Sequence, residues 1–327
     1  MNSRKITALA AAAMAALAMS TAAHAQDAAD WPKAGQTMQL IVPYAAGGGV
    51  DLGARLLADG LQKQLGITVV VINKPGGGSQ VGLTQVVQSA PDGYTLGYVV
   101  LPTVVTHYLD ASRQAPYTRA DFTKIGVQFA SQYVISVLAD SPFKTLDDLI
   151  KAAKDNPGGV TIGDAGVMTA PHLMTAELGQ AAKVQFSSIH YAGGAPALTA
   201  LRGGEVQALA TGGTDTLPYL QDNEVRVLGV STAEESTILP GQPTMKEQGY
   251  DVIGDSLTGV VAPPGLPAAI QDKIVAAMKA VVESPEQTKM LTERGVIPDF
   301  QGPADFDKLW QDNETRLKDV LPTLAQQ

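Results

Sequence analysis

Three consecutive glycines, Gly47, Gly48 and Gly49, separate a short apolar segment from a segment with helical periodicity. Because glycine has no Cβ, a ligand can approach the backbone N–H groups of such a turn closely. The first N–H groups of a helix lack partners within the helix, and the helix dipole makes that end positive. Three further turns between a predicted strand and a predicted helix also contain mostly small residues, at positions 74–80, 164–169 and 192–194. Any one of them could be only a tight turn, but their recurrence predicts an anion site.

The glycine pattern does not fit a nucleotide phosphate. Leu52 stands where the third glycine of G-x-G-x-x-G would be, and the chain contains no G-x-x-x-x-G-K-[ST]. A carboxylate needs only a few N–H groups and no lysine. Charge-assisted hydrogen bonds contribute about 1.5–3 kcal/mol each and helix starts about 0.3–1 kcal/mol each. A few of each reach the ~8 kcal/mol of micromolar binding, so we expect the anion to be a carboxylate.

Two segments have partial signatures of serine hydrolases. Residues 254–257 read Gly-Asp-Ser-Leu, the signature of one class of serine esterases, with Ser256 as the candidate nucleophile. Such an enzyme needs a histidine base. In that class the histidine follows the serine, whereas the last histidine of this chain is His190. Residues 77–81 lack the second glycine of the nucleophile elbow G-x-S-x-G. We therefore expect no catalytic residues, and a periplasmic esterase is the weakest alternative.

The histidines after residue 25 are His107, His172 and His190, which are far apart and do not form H-E-x-x-H. The chain has no cysteine, so thiolate metal sites and disulfides are excluded. We expect no metal and no cofactor. His172, close to a predicted helix start, could donate to an anion; alternatively, it is a solvated neighbour of the helix cap.

The first residues read as a secretory signal peptide. A basic start with Arg4 and Lys5 precedes about 14 apolar residues and the small-residue motif Ala23-His24-Ala25. This apolar run is shorter than the roughly 20 residues that a membrane span requires. We expect cleavage near Ala25 and a soluble periplasmic protein. Loss of Arg4 and Lys5 leaves 21 basic and 32 acidic residues, a net charge of −11. This charge argues against nucleic acid as a partner.

The mature chain is long enough for two domains. Strand-like runs alternate with helix-like runs, which indicates an α/β architecture with parallel strands. The first predicted strand covers 38–44. The following segment, 50–65, has leucines spaced as on one face of a helix, and Gly66 is a typical helix stop. Further predicted strands are 68–73, 94–101, 160–163, 188–191 and 206–210, with predicted helices at 81–88, 195–201, 267–283 and 303–321.

Five segments resemble the Bug-type periplasmic solute receptors, the extracytoplasmic components of tripartite tricarboxylate transporters. They are IVPYAAGGGVDLGARLLADGLQKQLGITVVVINKPGGGSQVG, APDGYTLGYV, HYAGGAPALTALRGGEVQALATG, QPTMKEQGYDV and VVAPPGLP. They occur in the order typical of that family and extend over nearly the whole mature chain.

This resemblance implies a two-lobed periplasmic binding protein fold of type II-like topology, without enzymatic activity. Each lobe would be a mixed, mostly parallel sheet flanked by helices. Domain 1 would contain 26–128 and 254–327, domain 2 would contain 129–253, and crossing strands would join them. The ligand would be a small organic acid held in the cleft by backbone groups and waters. The partners would be membrane transporter subunits, and the receptor would be a monomer.

The resemblance also implies which residues form the two walls of the cleft. On domain 1 these are Tyr44, Ala46, Gly48, Gly49, Val50, Asp51, Ser79, Gln80 and Pro102. On domain 2 they are Ala165, Gly166, Thr169, His172, Tyr191, Gly193, Ala195, Thr211 and Thr214.

The chain departs from the family pattern at three places. Val50 replaces a serine or threonine common in relatives, Leu257-Thr258 replaces an aromatic pair, and segment 99–103 is more apolar than usual. These departures favour an aromatic or longer apolar carboxylate, for example a terephthalate-type diacid. Alternatively, the apolar residues only pack the seam between the domains. A second possible function is that of a ligand-dependent partner of a membrane sensor.

Overall fold

The structure of the protein, a computed structural model, describes residues 30–324. The predicted signal peptide lies outside these residues. The strands are β1 (Thr37–Val42), β2 (Thr68–Asn73), β3 (Thr95–Leu101), β4 (Thr123–Leu138), β5 (Thr161–Asp164), β6 (Ser187–His190), β7 (Ala208–Gly212), β8 (Val225–Val230), β9 (Asp255–Ala262) and β10 (Ile297–Gln301). The helices are α1 (Gly49–Leu65), α2 (Gln80–Val87), α3 (Thr103–Leu109), α4 (Leu146–Asp155), α5 (Ala170–Ala182), α6 (Gly194–Arg202), α7 (Gly213–Gln221), α8 (Ala268–Val282), α9 (Pro285–Thr292) and α10 (Pro303–Leu324).

The first sheet contains β2, β1, β3, β9 and the first half of β4 in that order, and β10 pairs with the other edge of β4. The strands β1, β2 and β3 are parallel, and β9 is antiparallel to both β3 and β4. The apolar residues of α1 and α8 cover one face of this sheet, and those of α2, α3 and α10 cover the other face. Because both faces are covered, β3 is buried along almost its whole length.

The strands of the second sheet lie in the order β8, β4, β7, β5 and β6. The second half of β4 belongs to this sheet. The strands β5, β6 and β7 are parallel to one another, and β4 is antiparallel to β7. The helices α4 and α5 pack against one face of this sheet, and α6 packs against the other. The predicted mixed α/β architecture, with helices on both sides of sheets whose strands mostly run in one direction, is confirmed.

The strand β4 connects the two sheets. It pairs with β9 as far as Gln132, and it pairs with β7 from Tyr133 onward. The predicted domain boundary at 128/129 therefore falls inside β4, and the boundary at 253/254 falls just before β9. The division into two domains at these positions stays a prediction.

Several strands end where the sequence places small-residue turns. The strand β1 precedes the glycines of α1, β5 precedes the 164–169 turn, β6 precedes α6, and β7 runs directly into α7. Because the carboxyl ends of parallel strands lie at the same edge of a sheet, each sheet brings its turns together at one edge. In residues 30–324, no helix combines the length and apolar character that crossing a bilayer requires.

Candidate functional site

A cavity lies between the two sheets and receives residues from both. The start of α1 and Tyr44 line one side, and the starts of α6 and α7 with the 164–169 turn line the other. The middle of β4 and the first half of β9 form its floor with Ser131, Tyr133, Ser256 and Thr258. Among the described lining residues, none is a lysine, arginine or histidine. An anion in this cavity would therefore depend on backbone N–H groups, hydroxyls and helix dipoles.

Asp215 lies in the first turn of α7, and its carboxylate meets the start of α1 across the cavity. The Gly49 N–H donates a 2.7 Å hydrogen bond to Oδ1 of Asp215. The Gly212 N–H donates to the same carboxylate. Burial raises the pKa of Asp215 to about 6, although both N–H donors act in the opposite direction. A carboxylate oxygen thus already occupies the anion position at the start of α1.

Glycines surround the Asp215 carboxylate. A Cβ on Gly194 would overlap the carboxylate, and a Cβ on Gly48 would lie 3.4 Å from Oδ1. A Cβ on Gly212 would lie 3.6 Å from Oδ2. Glycine is thus required at Gly194 because the side chain of Asp215 occupies that space. The small residues of two turns therefore make room for an internal carboxylate.

Asp51, in the first turn of α1, stabilises its own turn. Its carboxylate accepts hydrogen bonds from the Gly47 N–H at 2.9 Å, from Nε of Arg55 at 2.9 Å and from Nδ2 of Asn73 at 2.9 Å. Burial alone would raise the pKa of Asp51, but these donors, with Arg55 foremost, hold that pKa below its usual value. Arg55 balances the charge of Asp51, so this carboxylate has its partners without a ligand.

At the turn before α5, three backbone N–H groups already donate to acceptors within the protein. The Gly166 N–H donates to Oδ1 of Asp164 at 2.8 Å, and the Ala170 N–H donates to Oγ1 of Thr103 at 2.9 Å. The Met168 N–H donates to Nδ1 of His172 at 2.9 Å. This bond places the proton of the neutral imidazole on Nε2. Burial lowers the pKa of His172, so the imidazole is neutral at pH 7.

The structure brings eight of the predicted site residues to the cavity: Tyr44, Gly48, Gly49, Val50, Asp51, Ala165, Thr169 and Thr214. A neighbouring groove, which Tyr44 and Ala165 also line, contains Ser79, Gly166 and Tyr191.

The other predicted residues lie around the cavity rather than in its lining. Gln80 donates to the carbonyl oxygen of Arg113, and Pro102 precedes α3. His172 lines a separate surface groove beside α5. The hydroxyl of Thr211 contacts that of Thr216. Gly193 and Ala195 lie against the backbone of the segment before α1, at positions 44–48, which also contains Ala46.

Sequence reasoning missed Asp215, Thr103 and Tyr133. The acidic residue directly after the small-residue turn at 211–214 was the available signal for Asp215, since acids are favourable in the first turn of a helix. Tyr133 is on β4, and its hydroxyl donates to Oγ of Ser256 at 2.6 Å. Ser256 therefore bonds to a tyrosine, and no described histidine lines this cavity.

Direct contacts join the two sides above the cavity. The Ala45 N–H donates to the carbonyl oxygen of Ala192 at 2.9 Å, and Oγ1 of Thr214 donates to the carbonyl oxygen of Gly295 at 3.0 Å. With the Gly49–Asp215 bond, these contacts hold the turns of the first sheet against those of the second.

Comparison with known proteins shows that this chain is similar to solute receptors. A family model described as "Tripartite tricarboxylate transporter family receptor" matches residues 53–325. A protein encoded in the gbd 5' region of Cupriavidus necator is 33% identical over 96% of this chain and 95% of its own length.

Two solved structures similar to this chain contain dicarboxylates. MatC from Rhodopseudomonas palustris with bound malate is 25% identical, with a TM-score of 0.83 over 88% of this chain and 99% of that chain. Rpa4515 from the same organism, with adipate, is 27% identical, with a TM-score of 0.83 over 90% of this chain and 99% of that chain.

Proposed function

The chain belongs to the receptor family of the tripartite tricarboxylate transporters, and from this premise we propose that it captures an organic carboxylate between two lobes and delivers it to a membrane transporter. The proteins of this family are solute-binding receptors and not enzymes. The resemblance of the sequence to this family is thereby confirmed. The proposal includes the identity of the ligand, the transporter that receives it and the export of this chain.

One observation carries the proposal: the Gly49 N–H at the start of α1 binds a carboxylate oxygen at 2.7 Å in a cavity without a cationic lining residue. This bond has the length typical of an N–H bonded to a charged oxygen. The bond to Asp215 indicates that a helix start in this cavity stabilises a carboxylate without a cationic side chain. Charge-assisted bonds of this kind contribute about 1.5–3 kcal/mol each, so two or three from other N–H groups and hydroxyls of the cavity would support micromolar binding.

The lining favours a dicarboxylate with an apolar middle. Val50, Val100 and Pro171 contribute apolar surface, while Tyr133 and Ser256 place hydroxyls on the floor. The related proteins with malate and adipate make dicarboxylates the first class of ligand to test. The apolar Val50 and the aromatic rings of Tyr44 and Tyr133 also keep a terephthalate-type diacid in the set of candidates.

We further propose that the chain is exported, cleaved near Ala25 and active as a monomer in the periplasm. The basic start, the apolar run and the Ala23-His24-Ala25 motif support cleavage at this point. Membership of a family of extracytoplasmic receptors supports the same location.

Thermal unfolding and calorimetry of the chain from residue 26 onward test the proposal. Malate, adipate and terephthalate form the panel, and the neutral dimethyl ester of each diacid is the matched control. We expect at least one diacid to raise the melting temperature, because a ligand at 100 times its Kd stabilises the folded state by about 2.7 kcal/mol. The esters lack the charge that the helix starts recognise, so they should leave the melting temperature unchanged. Absence of binding by every diacid at both pH 5.5 and pH 7.5 would overturn the proposal.

A further inference from the structure

Asp215 is a carboxylate without a cationic partner inside the cavity that should receive a carboxylate. Among the ion pairs between described residues, none includes Asp215. Its interactions are with the N–H groups of Gly49 and Gly212. A negatively charged ligand that enters the same cavity therefore meets a negative charge that no side chain neutralises.

The elements around Asp215 do not provide a compensating charge. From α1, the titratable group that faces the cavity is Asp51, and Arg55 already balances its charge. From the strands and the segment before α1, the titratable groups are the phenols of Tyr133 and Tyr44, and burial raises the pKa of Tyr44. The residues that α6 and the 164–169 turn contribute to the lining, Gly194, Ala165 and Thr169, do not titrate.

We infer that Asp215 takes up one proton when a carboxylate enters the cavity, so that the receptor binds the ligand and a proton together. The proton comes from the solvent and bonds to Oδ2, while Oδ1 keeps its hydrogen bond from Gly49. The new O–H group donates to a carboxylate oxygen of the ligand, which turns a repulsive pair into a hydrogen-bonded acid–carboxylate pair. This inference rests on the proposed function. It makes Asp215 a specificity-determining residue, because its O–H group would donate to a fully ionised carboxylate.

The position of Asp215 makes this proton easy to bind. Burial already raises its pKa to about 6, and the adjacent negative charge of the ligand raises that pKa further, to well above pH 7.5 for full proton uptake. The carboxylates of a diacid are ionised above about pH 5.5 and contribute little to the pH dependence there. When the pKa of a group rises on ligand binding, the affinity for the ligand falls as the pH increases above the pKa of that group in the ligand-free protein. We therefore expect Kd to increase by about tenfold per pH unit above pH 6.

Calorimetry at pH 7.5 in two buffers with different heats of ionisation measures this proton uptake directly. The probe is adipate, with malate as a second probe. The proteins are the mature wild type, Asp215→Asn and the control Asp222→Asn, which removes one carboxylate from the exposed C-terminal end of the same helix. We expect close to one proton per ligand for the wild type and for Asp222→Asn, and none for Asp215→Asn.

The affinities provide a second readout. Asparagine can accept from Gly49 through Oδ1 and donate to the ligand through Nδ2, as a protonated aspartate would. Asp215→Asn should therefore bind adipate about thirtyfold more tightly than the wild type at pH 7.5. The two proteins should bind about equally at pH 5.5.

The outcomes separate the two proposals. Binding by the wild type without proton uptake overturns the inference and leaves the proposed function intact, and this measurement needs no variant to fold. Weaker binding by Asp215→Asn than by the wild type at pH 7.5 also overturns it, because Asp215 would then accept a bond from a donor group of the ligand. Absence of binding by both proteins at both pH values overturns the proposed function and the inference with it.

Discussion

The N–H group of Gly49 and the Oδ1 atom of Asp215 are joined by a 2.7 Å hydrogen bond between two helix starts that lie 166 residues apart in the sequence. Gly49 begins α1 beside the first sheet, and Asp215 lies in the first turn of α7 beside the second. Both helix dipoles favour a negative charge at this point, but burial opposes it. The balance of these effects sets the stability of the protein as well as its proposed binding.

We expect Asp215→Asn to stabilise the ligand-free protein at neutral pH. Burial raises the pKa of Asp215 from its usual 3.8 to about 6 in the folded state, so ionisation favours the unfolded chain as the pH rises from 4 to 6. The free energy of unfolding of the wild type therefore falls over this range, by about 3 kcal/mol at most. The substitution removes this loss.

Urea unfolding at pH 4 and at pH 7.5 measures the effect. The gain from Asp215→Asn should be present at pH 7.5 and much smaller at pH 4. Asp222→Asn, on the exposed end of the same helix, should change the free energy of unfolding by less than about 0.5 kcal/mol at either pH. An equal gain at both pH values would contradict the titration of Asp215 as its cause.

Gly194→Ala should destabilise the protein because the new methyl group would overlap the Asp215 carboxylate. Overpacking of this kind costs about 1–3 kcal/mol. Gly203→Ala is the matched control, since Gly203 follows the other end of the same helix with ordinary helical φ and ψ, and a Cβ there would have normal contacts. Differential scanning calorimetry should show a lower melting temperature for Gly194→Ala alone.

A double substitution identifies the cause of the Gly194→Ala effect. In an Asp215→Gly background the carboxylate is absent, so Gly194→Ala should become nearly neutral. The coupling energy between the two positions should then be about 1–3 kcal/mol, as for residues in direct contact. If the costs of the two substitutions simply add, the clash is not with Asp215.

The sequence predicts elements whose determinants are local. The leucine spacing in segment 50–65 and the stop at Gly66 predict α1, and Gly66 indeed adopts a left-handed conformation with φ of 68°. The strands β1, β2 and β3 also lie within two residues of their predicted bounds. In contrast, nothing local shows that β4 is one 16-residue strand shared by two sheets, since its partners are distant segments of the chain.

The site was predictable to the same extent. The glycine-rich turns identify Gly48 and Gly49 as residues that line the cavity, because their function depends on their own backbone. The sequence does not show what fills the space that these glycines leave. The Asp215 carboxylate, the Tyr133–Ser256 bond and the contact between Thr103 and α5 are all made by residues far apart in the chain. Such pairs depend on how the two sheets meet.

Thr103→Val should weaken the contact between α3 and α5. Oγ1 of Thr103, which is buried, accepts the Ala170 N–H at 2.9 Å. Valine has nearly the same shape but no acceptor, so the buried N–H would lose its partner at a cost of about 1–3 kcal/mol. Thr175→Val provides the control, because the Thr175 hydroxyl only donates to the Pro171 carbonyl within α5. Urea unfolding should show a larger loss for Thr103→Val, and equal losses would contradict this role of Thr103.

The buried His107 should make the protein sensitive to acid. Its Nε2 donates to the Gly78 carbonyl oxygen at 2.9 Å, and its Nδ1 accepts from the Tyr117 hydroxyl at 2.6 Å. Burial, together with the nearby Arg113 guanidinium, lowers the pKa of His107 from 6.5 to about 3. The imidazole therefore stays neutral in the folded protein while the unfolded chain binds a proton below pH 6.5. Each pH unit between 6.5 and 3 should then cost about 1.4 kcal/mol of stability from this residue alone.

Nuclear magnetic resonance of the imidazole nitrogens tests this expectation directly. The His107 ring should keep the spectrum of the neutral tautomer with the proton on Nε2 down to about pH 4.5, because protonation would require breaking the bond from Tyr117 and charging a buried ring. In parallel, hydrogen exchange in segment 77–79 should accelerate as the pH approaches 4, beyond the intrinsic effect of pH on exchange, since His107 holds the Gly78 carbonyl group. A ring that titrates near pH 6.5 in the folded protein would show that its surroundings do not exclude the charge, and the predicted acid sensitivity would then be wrong.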